Sequence, residues 1–246
     1  MDIQDLVIAA IGVGLGGFLK GATGAGAPIV GVPVLAMVLG VQNAVAIFAF
    51  MNLFSNIWQA WAYRQHIVSA RFVWTQAIGG AIGACLGTFL LAGLPTELLL
   101  AGIAGLVFIY IALRVFRPTW QLEREKGYRL AGPAGLLGGI IQGAGGISAP
   151  VSVTYLNAMR LERDEFVATI SVFFMMMAFT QVPTLFLLGI LNSTNVSLAV
   201  LAAIPLFGAM PIGAYAARRV SKETFDKLIL ILLVLVTLRL IYIVVT

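Results

Sequence analysis

The chain has 246 residues, 61% of them hydrophobic and only 10% charged, with a formal net charge of +5. A soluble domain carries about 25% charged and about 45–50% apolar residues, so a soluble fold would lack the polar surface to cover this chain. Lipid accepts it: hydrocarbon offers the backbone no hydrogen bonds, so continuous apolar runs cross as helices, and the alternating pattern of a membrane barrel strand is missing.

Met1-Asp2-Ile3-Gln4-Asp5 opens the chain without a basic region, and no small-residue cleavage site follows the first apolar run. It reads as a retained segment rather than a signal peptide. The first long apolar stretch, about 6–40, is interrupted by glycine and proline. Stretches able to cross a ~30 Å core follow at about 42–62, 72–93 and 96–116. A charged linker at 117–129 precedes a second broken stretch, 130–157, and further spans at about 166–190, 195–217 and 225–246. The expected organisation is thus a first repeat at 1–116, the linker, and a second repeat at 130–246. Cys85, the only cysteine, lies inside an apolar run. Disulfides and thiolate metal sites are excluded, and no metal or cofactor is expected. Basic residues cluster in short loops, which reads as membrane topology and not as a nucleic-acid patch.

The two broken stretches carry the repeat. Gly17 to Pro28 reads GFLKGATGAGAP and Gly139 to Pro150 reads GIIQGAGGISAP. At an offset of 122 they match at Gly17/Gly139, Gly21/Gly143, Ala22/Ala144, Gly24/Gly146, Ala27/Ala149 and Pro28/Pro150. The same offset pairs Gln59 with Gln181 in the following span, which composition alone does not explain.

Loop charge orients the repeats. If each broken stretch crossed once, the loops holding Arg64 and Arg71 or Arg117 to Arg129 would oppose those holding Arg160 and Arg163 or Arg218 to Lys222. If each enters and returns, all these loops share one face. The N-terminus, the connections near Gly40, Gly93 and Asn192, and the C-terminus share the other, without Lys or Arg. The positive-inside rule selects the second arrangement, with basic loops cytoplasmic and both termini outside. The arm from Leu130 to Gln142 agrees, since 13 residues span only ~20 Å. The expected fold is all-α and membrane-embedded. It consists of two inverted repeats, each a re-entrant Gly/Pro-broken hairpin plus three transmembrane helices, as in transporters.

Chemistry concentrates at the hairpin tips. A broken backbone inside a membrane is tolerated only where protein buries it or a polar cavity adjoins it. Gly21, Gly24, Gly26, Gly143, Gly145 and Gly146 would let a ligand approach the main chain, with Thr23 and Ser148 as hydroxyl donors. Pro28 and Pro150 suit the first turn of the returning arm, aiming its free N–H groups at the tip as an anion site. Lys20 is the one formal charge in either motif, and Gln142 takes its place in the second. Lys20 lies ~26 Å along a helix from Ile3 and could snorkel to an interface. Aligned with Leu130, the arm begins nearer Ile8, which puts Lys20 near mid-depth and favours a ligand role. Asn52, Ser55, Asn56 and Gln59 share one helical face. Their counterparts are Phe174, Met177 and, retained, Gln181. Asn52 and Gln59 read equally as site or as interhelical glue; repeat symmetry inclines Gln181 toward the site.

Other signals read as packing. Gly79, Gly83 and Gly87 form a small-residue stripe. Arg114 and Arg239 sit near helix ends and snorkel. Trp58, Trp61, Tyr63 and Trp74 flank a basic loop as interfacial anchors. None of the ten acidic residues lies in the middle of a span, so a carboxylate proton relay is not expected.

GFLKGATGAGAP and GIIQGAGGISAP, repeated around a charged central loop over nearly the whole chain, resemble the TauE/SafE family of membrane anion exporters. The resemblance implies export of sulfite or of organosulfonates such as sulfoacetate across a bacterial inner membrane. Lys20 and the helix N-termini point independently to a small anion as partner, alongside the bilayer; the oligomeric state stays open. The favoured reading is a secondary carrier working by alternating access. An anion channel with the same tips as filter is the alternative. An intramembrane hydrolase using Ser148 is disfavoured, because the only histidine, His66, lies in a loop and serine catalysis needs a positioned base. The chain is read as a non-enzyme.

Overall fold

The chain is helical wherever it is apolar, and glycine and proline punctuate it. The computed structural model describes residues 3–116, 121–217 and 219. They form α1 (Ile3–Thr23), α2 (Ala27–Leu39), α3 (Val41–Ala62), α4 (Ala70–Gly93), α5 (Thr96–Phe116), α6 (Arg124–Gly145), α7 (Ala149–Ala158), α8 (Arg163–Leu187) and α9 (Ser193–Ala216). A 3-10 turn at Arg64–His66 follows α3, and no strand occurs among the described residues. The expected span at 225–246, with Arg239, lies outside the described residues, as do Arg117, most of Arg218 to Lys222 and the side chain of Arg114.

By length and composition α1, α4, α8 and α9 are each able to cross a membrane. α3 matches them in length, at 22 residues, but carries the polar face. Their outward surfaces are apolar, with Ile78, Ile82, Leu86 and Phe89 on α4 and Val200, Ile204 and Ile212 on α9 exposed. So continuous an apolar exterior needs lipid to cover it. Trp58, Trp61 and Trp74 are exposed near the basic turn, and the Arg64 guanidinium stacks 4.7 Å from the Trp61 ring centroid.

The hairpins differ from expectation in one respect. α6 begins at Arg124 rather than Leu130 and runs 22 residues, ~33 Å, while α1 is one unbroken helix of 21. The charged stretch Arg124 to Arg129, expected as linker, is helical. Arg129 bonds Glu125 at 2.6 Å and Lys126 meets Glu123 at 3.0 Å, the i,i+4 and i,i+3 pairs that support an exposed turn. The first arms are therefore long, and the returning arms are the short ones. α2 has 13 residues and α7 only 10, ~20 and ~15 Å, too little to cross alone. α2 folds back along α1: a Cβ on Gly12 would lie 2.4 Å from the Val34 side chain, and one on Gly16 would lie 2.7 Å from the Ala27 carbonyl oxygen. α7 returns along α6 in the same way, with Gly127 against Met159 and Gly138 near Ser152.

The connections gather at two ends. At one, His66 lies 4.0 Å from Asp164, Arg124 bonds Glu165 at 3.2 Å, and Leu122 N–H donates to the Ala158 carbonyl. At the other, Gln42 donates to the Leu91 carbonyl, and Asn195 donates to Asn43 and to the Ile190 carbonyl.

The helices of one half pack on the hairpin of the other. Gly79, Gly83 and Gly87 of α4 meet α6 backbone to backbone, as a small-residue stripe should. A Cβ on Gly83 would lie 2.2 Å from the Leu136 oxygen, and one on Gly139 would lie 2.2 Å from the Gly80 oxygen. α9 sits on α1 equivalently, with Gly17 against the Leu206 carbonyl and Gly213 against that of Phe18.

Candidate functional site

Both tips are built at the register the sequence repeat sets. α1 stops at Thr23 and α6 at Gly145, both 122 apart, and α2 and α7 restart at Ala27 and Ala149. In each tip the residue after the stop is a left-handed glycine, Gly24 at φ 78° and Gly146 at φ 73°. A side chain there would be strained. The amide of each closes the helix 2.7 Å from a carbonyl, Gly24 onto Lys20 and Gly146 onto Gln142. Each tip then presses on the opposite half. A Cβ on Gly24 would meet Val167 of α8 at 2.6 Å; one on Gly146 would meet Val45 of α3 at 3.2 Å. Val45 and Val167 are themselves 122 apart.

The side chains do not repeat. Lys20, 1% exposed, donates from Nζ to Asn56 Oδ1 at 2.7 Å and reaches Asn52 Oδ1 at 3.4 Å. Both acceptors are neutral amide oxygens. The Nδ2 of Asn56 is buried without a hydrogen-bond partner, as is Oε1 of Gln59 one turn further along α3. An ammonium has three donors, so this cluster holds unused donors around a buried nitrogen. Taking an ammonium out of water costs several kcal/mol even after relaxation, and two neutral oxygens return only part of it. Such a residue, buried inside a membrane protein, marks a ligand path more often than a structural pair.

In the second tip Gln142 is buried and its Oε1 has no partner. Gln181 Nε2 approaches the carbonyls of Gln142 and Gly143 at 3.4 and 3.5 Å, long contacts that hold α8 to the tip weakly. Ser148 precedes α7 and is buried, and Ser152 Oγ lies 2.8 Å from its Oγ. No side chain caps either α2 or α7; Pro28 and Pro150 have no N–H, and Ile29 and Val151 donate back to the Gly26 and Ser148 carbonyls, which leaves one first-turn amide in each returning arm, that of Ala27 and that of Ala149.

Some predicted residues have structural duties. Thr23 uses its hydroxyl within the tip, donating to the Leu19 and Ala25 carbonyls. Gly21 and Gly143 lie in the helix–helix seams: a Cβ on Gly21 would sit 1.9 Å from the Met210 oxygen and one on Gly143 would sit 2.4 Å from that of Ala84. Gly26, at φ 104°, opens α2, and a Cβ there would touch Thr23 Oγ1 at 3.6 Å and Ile29 at 3.7 Å. Gly145 faces Ile103 of α5 at 3.3 Å. Asn56 is the residue that sequence reasoning underrated. It was visible on the polar face, but only the fold shows that it, one turn beyond Asn52, is the nearest partner of Lys20. The sole histidine, His66, is on the exposed 3-10 turn, whereas Ser148 is in a buried tip.

A family model described as sulfite exporter TauE/SafE matches residues 8–240, nearly the whole chain. No curated protein and no solved structure matches it. The chain belongs to the TauE/SafE family.

Proposed function

We propose that this TauE/SafE member is a secondary carrier that exports a small anion, a sulfonate such as sulfoacetate or sulfite itself, across the inner membrane by alternating access. The observation that carries the reading is the buried Lys20, whose hydrogen bonds among the described residues go only to the neutral amide oxygens of Asn52 and Asn56. An oxyanion would satisfy the remaining Nζ donor, the unpartnered Asn56 Nδ2 and the Ala27 amide that opens α2. Gln59 can join by rotating its carboxamide. The two hairpins are re-entrant and inverted: the short returning arms, the gathering of basic connections at one end and the exchanged packing of the halves support this topology. The side chains of the site are all but closed from solvent. Binding and release therefore require movement, which a carrier performs once per cycle. Export needs no co-ion in principle, since an inside-negative potential assists an outgoing anion by about 2.3 kcal/mol per charge per 100 mV.

The test is exchange in proteoliposomes of purified protein loaded with sulfite, sulfoacetate, sulfate or acetate. Saturable counterflow of one sulfur oxyanion is expected. Flux that never saturates would replace the carrier with a channel, and no flux of any of the four would overturn the anion reading.

A further inference from the structure

A second group of buried polar atoms lies away from Lys20. Gln76 of α4 is 0% exposed, and neither Nε2 nor Oε1 has a partner. Thr169 of α8 is equally buried, with Oγ1 unpartnered. Both lie on the packed pair α4 and α8. A Cβ on Gly80 would touch Phe173 at 2.3 Å and Met177 at 3.1 Å, and Thr180 donates to the Ala81 carbonyl, so α4 and α8 run side by side in the same direction. One turn back from Gly80, Gln76 is therefore level with the stretch of α8 that begins at Thr169 and runs past Phe173. Gly135 of α6 packs against the Gln76 carbonyl.

Aromatic rings stand on either side of these two residues along the helices. Toward the basic loops, one turn below Gln76, Phe72 stacks on Tyr128 at 4.7 Å, with Tyr155 at 6.5 Å. Toward the tip, Phe173 wedges between Gly80 and Gly138. Beyond Phe173 the polar surface resumes with Ser152 and Ser148. Buried amide and hydroxyl groups without partners cost roughly 1–3 kcal/mol each by mutational measure, and they persist where something transient satisfies them.

We propose that Gln76 and Thr169 form a waiting station for a small oxyanion between the basic-loop face and the second tip, with Phe72 and Phe173 as its lower and upper gates. This rests on the anion-carrier reading. The station offers a carboxamide N–H₂ and a hydroxyl as donors and no full charge, so it holds an oxyanion briefly and passes it on, whereas Lys20 retains it.

The native chain's single cysteine makes the test direct. In a Cys85→Ser background, Gln76→Cys and Thr169→Cys proteins are treated, in vesicles of each orientation, with a sulfonate-bearing and an ammonium-bearing methanethiosulfonate reagent. The expected result is modification by the sulfonate reagent from the basic-loop face, slowed by methanesulfonate, with Arg71→Cys as the accessible control. Modification by the ammonium reagent alone, or none while the control reacts, overturns the station. Thr169→Val, nearly isosteric, is expected to slow turnover several-fold while leaving the half-saturating anion concentration unchanged; unchanged turnover counts against it. Access to these positions is read without transport, so the station can fail while counterflow succeeds, and access can survive if counterflow fails.

Discussion

Replacing Lys20 by Met separates its ligand role from its structural one, because the two predict opposite signs. Met fills nearly the same volume and removes the ammonium. At about 4 Å and an effective dielectric of about 20, an oxyanion loses about 4 kcal/mol of attraction, or about three orders of magnitude in transport efficiency at about 1.4 kcal/mol per decade. The unliganded fold responds differently. Asn56 Oδ1 loses its 2.7 Å donor, a cost of about 1–3 kcal/mol, while the penalty of burying a cation, several kcal/mol, is relieved. Thermal unfolding in detergent should therefore show a Lys20→Met protein at least as stable as the parent. Transport of the preferred anion, measured as initial counterflow rates over a concentration series, should fall to background. Lys20→Gln, which installs the residue of the second half, should behave alike. Transport within about tenfold of the parent, from a protein shown to be folded, would refute the charge role, and marked destabilisation with transport retained would make Lys20 a structural residue.

The seams give a second prediction: Gly83→Ala and Gly139→Ala push a methyl against backbone oxygen 2.2 Å away and should each lower stability by about 1–3 kcal/mol, whereas Gly93→Ala, with nothing within 4 Å, should be neutral in the same melts. At the tips, Gly24→Ala and Gly146→Ala force a left-handed alanine costing about 1–2 kcal/mol, and Gly24→Ala should be worse because Val167 is 2.6 Å away against 3.1 Å for the nearest atom at Gly146. Equal melting points for the two would contradict this. For topology, single cysteines at Arg64, Arg129 and Arg160 in the Cys85→Ser background should label from one face and those at Gly93 and Asn192 from the other; a split within either set would refute the re-entrant arrangement.

The backbone of this fold was largely legible because its signals are local. Glycine before a left-handed turn and proline inside a first turn announce a break wherever they occur, so the two motifs at an offset of 122 marked where both helices stop and restart, though Lys20 lies within α1 one turn before its break. The small-residue stripe at Gly79, Gly83 and Gly87 likewise announced a close helix contact, though not that its partner would be the hairpin arm of the other half. The start of α6 was misread because charge at Arg124 to Arg129 signals exposure, not loop. The pairing of Lys20 with Asn56 was out of reach, since it depends on the angle at which α3 crosses α1. Gln76 and Thr169 lacked any repeat partner, motif or charge to draw attention; only burial without a hydrogen bond exposes them.

What repeats and what does not divides the protein by role. Gly24 and Gly146, Val45 and Val167, and Gln59 and Gln181 keep one identity in both halves, and the glycine–valine contacts hold each tip on the helix it presses. Lys20, Asn52 and Asn56 are Gln142, Phe174 and Ala178 in the second half. Two near-equivalent halves can exchange conformations at small energetic cost, because each packing seam lost on one side has a counterpart gained on the other. A charge duplicated with them would place two buried cations in one membrane core without a carboxylate for either, and each would carry its own desolvation penalty. Confining the charge to one half leaves the scaffold nearly symmetric, and on the proposed carrier reading it would give the cycle one strong anion position. On the carrier proposed above, Gln142 and Gln181, neutral and incompletely bonded, would serve a position that binds weakly enough to let the anion move on.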